Sequence, residues 1–264
     1  MKVSLLITTY NNVDSLLAVL RSVQMQTRLP LEVIVADDGS SDGTAEALHA
    51  LSKTFPVPLI HAFQDDKGFR ASRVRNLGVR ASKGDYIVMI DGDIYLDQRF
   101  IENHIENAEK GMIVQGQRVK MRNPLSLRVK FGSVIPGFFS HGIKDLRHRK
   151  HAIHSKVLSK ALTTVRSDDK WIRSCNMGMW KADYVALNGF NNAFEGWGRE
   201  DTDFANRALF HGLKVKHVRC GCIGYHLWHQ ECSRDRLSVN DELLKQTLRS
   251  KQAVCEHGYL QTEI

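Results

Sequence analysis

The stretch 87–95 constrains the fold of this chain most, because an apolar run in it ends in two aspartates. Its apolar residues follow one another without polar alternation, which predicts a strand buried on both faces of a sheet. Asp91 and Asp93 come at the carboxyl end of that strand. The sequence therefore predicts that the core gives way to an acidic site here.

Strand-helix units precede this stretch. Apolar runs rich in branched residues at 3–9 and 32–36 predict buried strands, and apolar residues at helical spacing follow each run. A short third strand is predicted at 59–62 and a helix at 71–81. Consecutive β-α units predict a parallel sheet, so the fold class is α/β. We interpret residues 1–118 as a nucleotide-binding half, with ligands at the carboxyl ends of the strands.

Further periodic stretches extend the pattern toward the C-terminus. They predict strands at 112–118, 174–180 and 215–218, and helices at 98–108, 182–187, from about 201 to 210, and 241–254. We expect a single domain over 1–264, with its C-terminal half at 171–264.

A basic segment, 119–170, separates these halves. Arg118 to Lys170 holds thirteen Lys or Arg against three Asp, a net +10, which leaves −2 for the rest of a +8 chain. Glycines and prolines interrupt its periodicity, so we expect a long mobile loop. It could close over a ligand, attach the protein to an anionic membrane, or be a solvated surface loop.

The overall charge favours anionic partners, among them nucleic acid, acidic lipid and sugar nucleotides. Polar residues interrupt the N-terminal apolar run too early for a signal peptide, and no apolar stretch approaches the roughly 20 residues of a spanning helix. An odd number of cysteines, of which only Cys220 and Cys222 lie close together, predicts reduced thiols in the cytoplasm.

The Asp91-Gly92-Asp93 stretch is a candidate site for Mg²⁺ or Mn²⁺. Gly92 allows the backbone to leave strand geometry, so that both carboxylates can turn toward one hard cation. The alternative is an ordinary acidic turn. A second acidic turn, Asp37-Asp38, ends another predicted strand, where a carboxylate can bind a uracil N–H or ribose hydroxyls. It could instead be a solvated turn before a helix.

Two features in the second half add candidate groups. Glu200-Asp201 follows Trp197, an aromatic surface suited to a sugar ring, and a carboxylate there could act as general base on a hydroxyl. Acidic residues at a helix N-terminus also simply compensate the helix dipole. His226 and His229 could complete the ligand set of a cation, or be packed or solvated side chains.

Together these motifs resemble the inverting family 2 glycosyltransferases of the GT-A fold. The second half resembles the chondroitin-polymerase and galactosyltransferase type, which shares a Trp-Gly-x-Glu-Asp motif and a later His. This resemblance implies that residues 171–264 form an acceptor-binding and catalytic half. The matching stretches cover nearly the whole chain and are Ile7-Thr8-Thr9-Tyr10-Asn11, Val35 to Thr44, Arg75-Asn76-Leu77-Gly78, Gly84-Asp85-Tyr86, Asp91-Gly92-Asp93, Asn176-Met177-Gly178, Gly189-Phe190 and Gly196 to Phe204.

The resemblance implies a role for each candidate residue. Thr9 and Asp38 would lie beside the base and ribose of the nucleotide, supported by Asp37. Arg75 would lie near the nucleotide or form a structural salt bridge. Asp91 and Asp93 would hold the donor diphosphate through Mn²⁺ or Mg²⁺, with His226 as a third ligand and His229 as the alternative. Trp197 would be a sugar platform, Glu200 would bind a hydroxyl, and Asp201 would be the catalytic base.

The implied activity is transfer of a hexosyl or N-acetylhexosaminyl group, with inversion, from a UDP-sugar to a glycan or lipid-linked acceptor. The implied setting is synthesis of bacterial surface polysaccharide or lipopolysaccharide, in the cytoplasm or peripherally on the cytoplasmic face of the inner membrane, without nucleic acid as a partner. Arg199 departs from the family pattern, since relatives often have glycine there.

Two other classes compete with this interpretation. A sugar-phosphate nucleotidyltransferase uses a similar fold, but Thr8-Thr9-Tyr10-Asn11 stands where its glycine-rich phosphate loop would follow the first strand. A non-enzymatic membrane-binding or nucleic-acid-binding protein would use the basic segment and leave the acidic motifs unexplained.

Overall fold

The computed structural model describes residues 1–170, 172–230 and 233–263, and the larger of its two sheets begins with four parallel strands. These strands lie in the order β3-β2-β1-β4, with β1 central. Their bounds are β1 Val3–Thr9, β2 Glu32–Asp37, β3 Leu59–Phe63 and β4 Tyr86–Asp91. This arrangement confirms the predicted α/β class.

Helices cover both faces of this parallel part. Their bounds are α1 Val13–Gln24, α2 Thr44–Ser52, α3 Ala71–Ala81 and α4 Phe100–Asn107. Leu16 and Leu20 of α1 share one core cluster with Leu5 of β1. Leu77 of α3 belongs to a second cluster, with Leu6 of β1. Alternate residues of a strand point to opposite faces, so β1 anchors both helix layers.

The predicted single strand at 87–95 is divided at Gly92. The chain turns after Asp91 and continues as β5 Ile94–Leu96 in a second sheet of three strands. The N–H of Gly92 donates to the carbonyl of Thr8 at 2.7 Å, and a Cβ on Gly92 would lie only 3.0 Å from that oxygen. Asp91 is therefore the last residue of β4 in the larger sheet, whereas Asp93 directly precedes β5 in the smaller one.

The predicted strand at 112–118 is divided in the same way, at Gly116. It forms β6 Met112–Gln115 in the larger sheet and β7 Gln117–Lys120 in the smaller one. A Cβ on Gly116 would overlap the side chain of Asn176, at 2.3 Å. Close approach of two chain segments at this point thus requires glycine.

The basic segment 119–170 is not the irregular loop that the sequence predicted. It contains three short helices, α5 Asn123–Lys130, α6 Leu146–His151 and α7 Lys156–Leu162, and a strand, β8 Thr164–Arg166. Local caps start two of them, because Asp145 accepts from the N–H of His148 and Ser155 from that of Leu158. Neither α6 nor α7 buries a side chain, so neither shows hydrophobic periodicity.

The C-terminal half completes both sheets. The strands β9 Asn176–Trp180 and β10 Lys214–His217 join the larger sheet, in the order β4-β9-β6-β10-β8, and β11 Ile223–His226 lies between β5 and β7. The helices are α8 Lys181–Ala186, α9 Glu200–Phe210 and α10 Leu237–Ser250, followed by a 3₁₀ helix at Tyr259–Gln261. Within the described ranges, no helix has the length and apolarity to cross a bilayer.

Asn76 of α3 joins the two halves of the chain. Its fully buried amide donates to the Phe190 carbonyl and to the Asn192 side chain, both at 2.8 Å. Its oxygen accepts from the Tyr184 hydroxyl at 2.5 Å and from the Phe190 N–H at 3.0 Å. All four bonds connect α3, in the N-terminal half of the chain, to residues that follow β9.

We expect Asn76→Ala to lower the free energy of unfolding by about 2–4 kcal/mol, because it leaves several buried polar groups without partners. Urea denaturation would measure the change. Asn123→Ala, which alters an exposed amide in α5, is the matched control and should change stability by less than about 0.5 kcal/mol. Equal effects of the two substitutions would show that the Asn76 network does not hold the halves together.

Candidate active site

The carboxyl ends of three parallel strands meet at one edge of the larger sheet. Thr9 pairs in register with Asp37, and Thr8 pairs with Asp91. The predicted site residues of the first half therefore converge here. The hydroxyl oxygen of Thr9 is buried and has no hydrogen-bond partner among the described residues, which leaves it available to a ligand.

The two aspartates at the end of β2 have different surroundings. Asp37 accepts hydrogen bonds from His61 and from the N–H of Ser40, each at 2.9 Å. Burial acts to raise the pKa of Asp37, but these bonds hold it below its ordinary value. Burial raises the pKa of Asp38, which accepts from the N–H of Arg70 at 2.7 Å and from Gln64. Asp37 thus stabilises the turn that carries Asp38.

Arg75 lies between carboxylates from the two halves of the chain. Its guanidinium is 3.4 Å from Asp91 and 3.5 Å from Glu200, and it stacks over the Phe190 ring at 5.2 Å. Burial acts to lower the pKa of Arg75, but Asp201, Asp91 and Glu200 together raise it. Arg75 was expected either to lie near the nucleotide or to form a structural salt bridge. The structure shows salt bridges, to Asp91 and Glu200.

The pair Glu200-Asp201 begins α9, as predicted. Burial and the neighbouring Asp201 raise the pKa of Glu200 to about 7, against the opposing effect of Arg75. One carboxylate oxygen of Asp201 is buried and has no hydrogen-bond partner among the described residues. Asp201 therefore presents an uncommitted acceptor beside a buried cation, which suits a general base.

Arg199, at the N-cap of α9, has a left-handed backbone, with φ of 78°. Glycine adopts this conformation without the steric cost that a side chain imposes. This backbone conformation explains why relatives often have glycine at the position of Arg199. The Arg199 side chain points to the surface, where it forms a salt bridge with Asp241 at 2.5 Å.

Asp93 lies with His226 and His229 in a compact cluster. The imidazole Nε2 atoms are 3.5 and 3.0 Å from one Asp93 oxygen, and ligand atoms of all three residues lie within 4.8 Å of one another. The antiparallel pairing of β5 with β11 places His226 opposite Ile94, next to Asp93. Burial lowers the pKa of His226 to about 4, so that its ring is neutral and able to bind a metal.

The residues of this cluster fit a divalent cation. The second oxygen of Asp93 is buried and has no partner among the described residues. A carboxylate and two imidazoles are ligands that Mn²⁺ accepts, and an ion would supply the missing partner. The structure brings both candidate histidines to Asp93. Asp91 faces Arg75 instead, with about a third of its side chain exposed, at 36%.

Trp197 lies at the rim of the site rather than within the carboxylate group. Its ring is 41% exposed and lies under the guanidinium of Arg234, with 4.7 Å from Cζ to the ring centroid. Trp197 and Phe69 line a cleft of about 330 Å³. An exposed aromatic surface in a cleft of this size suits contact with a sugar ring.

Sequence reasoning missed Arg118 and the separate strand that carries it. Arg118 lies on β7, in register with Gly224 of β11, and its Nη1 is 4.0 Å from the buried thiol of Cys175. The sequence 117–120 alternates polar and apolar residues only briefly, which is too short a signal to identify a strand. The cysteines described, Cys175, Cys220, Cys222 and Cys255, are buried free thiols, and Cys232 lies outside the described residues.

Several known proteins are similar to this chain in sequence. The chain spans about half or less of the length of the curated relatives that follow. It is 24% identical over 229 residues to validoxylamine A glucosyltransferase of Streptomyces hygroscopicus subsp. limoneus, covering 80% of this chain and 49% of the relative. It is 31% identical over 243 residues to hyaluronan synthase of Pasteurella multocida, covering 84% and 24%.

Solved structures confirm the GT-A-type fold. The crystal structure of S. aureus TarS 1–349 in complex with UDP matches with a TM-score of 0.59 at 16% identity, covering 92% of this chain and 64% of that chain. The sequence model described as glycosyl transferase family 2 matches residues 4–171, and that of the N-terminal domain of galactosyltransferase matches residues 157–230. The first match spans more than half of the chain, which therefore belongs to glycosyl transferase family 2.

Proposed function

We propose that this chain is a metal-dependent, inverting glycosyltransferase that uses a UDP-sugar. The main support for the proposal is that acidic residues from the two halves of the chain lie close together. Asp91 approaches Glu200 through their shared partner Arg75, and the Asp93–His226–His229 cluster follows directly after the turn at Gly92. This arrangement offers a metal site and a base site at one edge of the sheet.

The first half would bind the nucleotide. Asp38 and the hydroxyl of Thr9 would contact the uridine, and Asp37 would hold the turn in place through its bonds to Ser40 and His61. TarS, which shares the fold, forms a complex with UDP, and the family match covers this half of the chain. The family match supports a glycosyl donor, and the TarS complex supports UDP as its nucleotide.

Asp93, His226 and His229 would hold Mn²⁺ or Mg²⁺, and Asp91 would face the donor or complete the ligand set. When bound, the cation would supply positive charge that stabilises the leaving diphosphate. The neutral ring of His226 and the free oxygen of Asp93 are ready to act as ligands. Arg75 would keep Asp91 and Glu200 in place with its buried charge.

Asp201 would act on the acceptor. Its carboxylate removes the proton of the acceptor hydroxyl, and the oxygen forms a bond to the anomeric carbon. The bond between that carbon and the diphosphate breaks on the opposite face, and UDP leaves with the electron pair. Glu200 would bind a hydroxyl of the sugar, and Trp197 would support a sugar ring. One displacement inverts the anomeric configuration.

The acceptor is proposed to be a glycan or a lipid-linked sugar of a bacterial surface polysaccharide or lipopolysaccharide. Chondroitin synthase of Escherichia coli and hyaluronan synthase are named for polysaccharide products. The transferred group would be a hexosyl or N-acetylhexosaminyl unit. The basic segment would attach the protein to the cytoplasmic face of the inner membrane, because exposed apolar side chains interrupt its positive charge. Among them are Phe131, Phe139 and Leu146, which are 71%, 86% and 76% exposed.

Release of UDP from a panel of UDP-sugars, with Mn²⁺ and candidate acceptors, tests the activity. We expect Asp201→Asn to lower turnover about 10²- to 10⁴-fold, because proton removal contributes that much to rate. The affinity for UDP should remain unchanged. Asp14→Asn, an exposed position on α1, should keep full activity. Near-normal transfer by the Asp201 variant would remove Asp201 from the role of base.

Calorimetry of UDP binding with and without Mn²⁺ tests the metal site. We expect Asp93→Ala to abolish the increase in UDP affinity that Mn²⁺ gives, because the variant loses the carboxylate ligand of the cluster. Asp14→Ala should retain the increase. The metal assignment would be wrong if the Asp93 variant responded to Mn²⁺ as the unaltered chain does.

Flotation with lipid vesicles tests the membrane surface. We expect the chain to float with anionic vesicles, not with zwitterionic ones, and to dissociate as salt increases. The double substitution Phe131→Ser and Phe139→Ser should reduce flotation, since both rings are exposed. Leu260→Ser, another exposed apolar position outside the basic segment, should not. Flotation that is independent of lipid charge would contradict this part of the proposal.

A further inference from the structure

We infer that Arg118 binds the diphosphate of the donor. This inference rests on the proposed function, since it requires a nucleoside diphosphate ligand. Sequence motifs did not identify Arg118 as a site residue; its position in the smaller sheet does. Three features point to it: the position of its side chain, the lack of a carboxylate within 4.0 Å of its guanidinium among the described residues, and the support of its backbone.

Strand pairing places Arg118 beside the candidate metal cluster. In the parallel pairing of β7 with β11, Arg118 lies opposite Gly224, and Lys120 lies opposite His226. Residues two apart on a strand share a face, so Arg118 is on the same face as His226. Its positive charge acts on Asp91, Asp93 and the His226 ring. Gly224 has no side chain, and a methyl group of Ile94 packs into the space where its Cβ would be, at 2.5 Å.

The Arg118 guanidinium forms no ion pair at contact distance in the described part of the chain, although Asp91 and Asp93 lie near enough to feel its charge. Its hydrogen-bond contact is a weak one, to the Cys175 thiol at 4.0 Å, and no described carboxylate lies within 4.0 Å. The two fully buried arginines among the described residues have carboxylate partners, since Arg75 has two and Arg207 has Asp203 at 2.8 Å. A partly buried guanidinium that contacts no carboxylate has N–H donors left unused, and the oxygens of an anionic ligand would accept from them.

The backbone of Arg118 is held from both sides. On one side, β7 pairs with β11. On the other, the Nδ1 atoms of His148 and His151 in α6 lie 3.2 and 3.4 Å from the Arg118 carbonyl oxygen. The N–H of Lys144 also donates to the Lys120 carbonyl at 2.9 Å. Part of the basic segment thereby fixes the strand backbone that carries this guanidinium, which helps to preorganise a ligand site.

A guanidinium in this place would form charge-assisted hydrogen bonds to phosphate oxygens, often two in parallel. As the bond from the anomeric carbon to the diphosphate breaks, negative charge grows on the leaving oxygen. Arg118 would stabilise that charge on the diphosphate, on the side of the smaller sheet. It would contribute nothing to recognition of the base or ribose.

The test compares the affinity of the chain for UDP and for uridine, both with Mn²⁺, by calorimetry and ligand-observed NMR. We expect Arg118→Gln to weaken UDP binding about tenfold to a hundredfold, the range for one bond to a charged group, and to leave uridine binding unchanged. Arg118→Lys should weaken UDP binding less, because it keeps the charge. Arg128→Gln, which removes an exposed charge from α5, is the matched control and should bind UDP normally.

Unchanged UDP affinity in Arg118→Gln, or an equal loss for UDP and uridine, would overturn the inference and leave the proposed function standing. If the unaltered chain failed to bind UDP, the proposed donor and this inference would both be wrong. Thermal unfolding of each variant identifies a folding defect. If Arg118→Gln does not fold, the folded Arg118→Lys variant decides the question, since it should still lose part of the UDP affinity but none of the uridine affinity.

Discussion

The buried charge of Arg75 is the interaction on which the site depends. The guanidinium has Asp91 from the parallel sheet on one side and Glu200 from α9 on the other. Removing any member of such a group leaves an uncompensated buried charge, so the three must be placed together. Asn76, one residue along α3, adds hydrogen bonds to Phe190 and Tyr184. One turn of helix therefore sets the distance between the two halves of the molecule.

The turn at Gly92 gives the two neighbouring aspartates different surroundings. Asp91 ends β4 and faces Arg75, whereas Asp93 enters the smaller sheet beside β11. The smaller sheet thus unites Asp93 with His226 and His229, which come more than a hundred residues later. The basic segment supports the same sheet through contacts of α6 with β7. The basic segment therefore supports the site structurally, in addition to the role proposed for it at a membrane surface.

Strong periodicity made the first half predictable. The expected bounds of β1 and α3 agree with the structure, because apolar repeats there reflect burial on a regular sheet. Apolar periodicity did not predict the division of strands at Gly92 and Gly116, because apolar residues occur on both sides of each glycine. It also did not predict the short helices α6 and α7, which begin at side-chain caps and bury no side chain. The motifs identified the acidic residues of the site, but only pairing between distant strands revealed the place of Arg118.

We propose that one edge of the larger sheet holds both a metal-bound diphosphate and the base that acts on the acceptor. The most direct measurement is a crystal structure with Mn²⁺ and UDP, in which anomalous scattering locates the metal. We predict a manganese peak within bonding distance of Asp93 and His226, with the diphosphate between that peak and the Asp201 side of the site. A manganese peak elsewhere, or UDP bound away from the carboxyl ends of β1, β2 and β4, would contradict it.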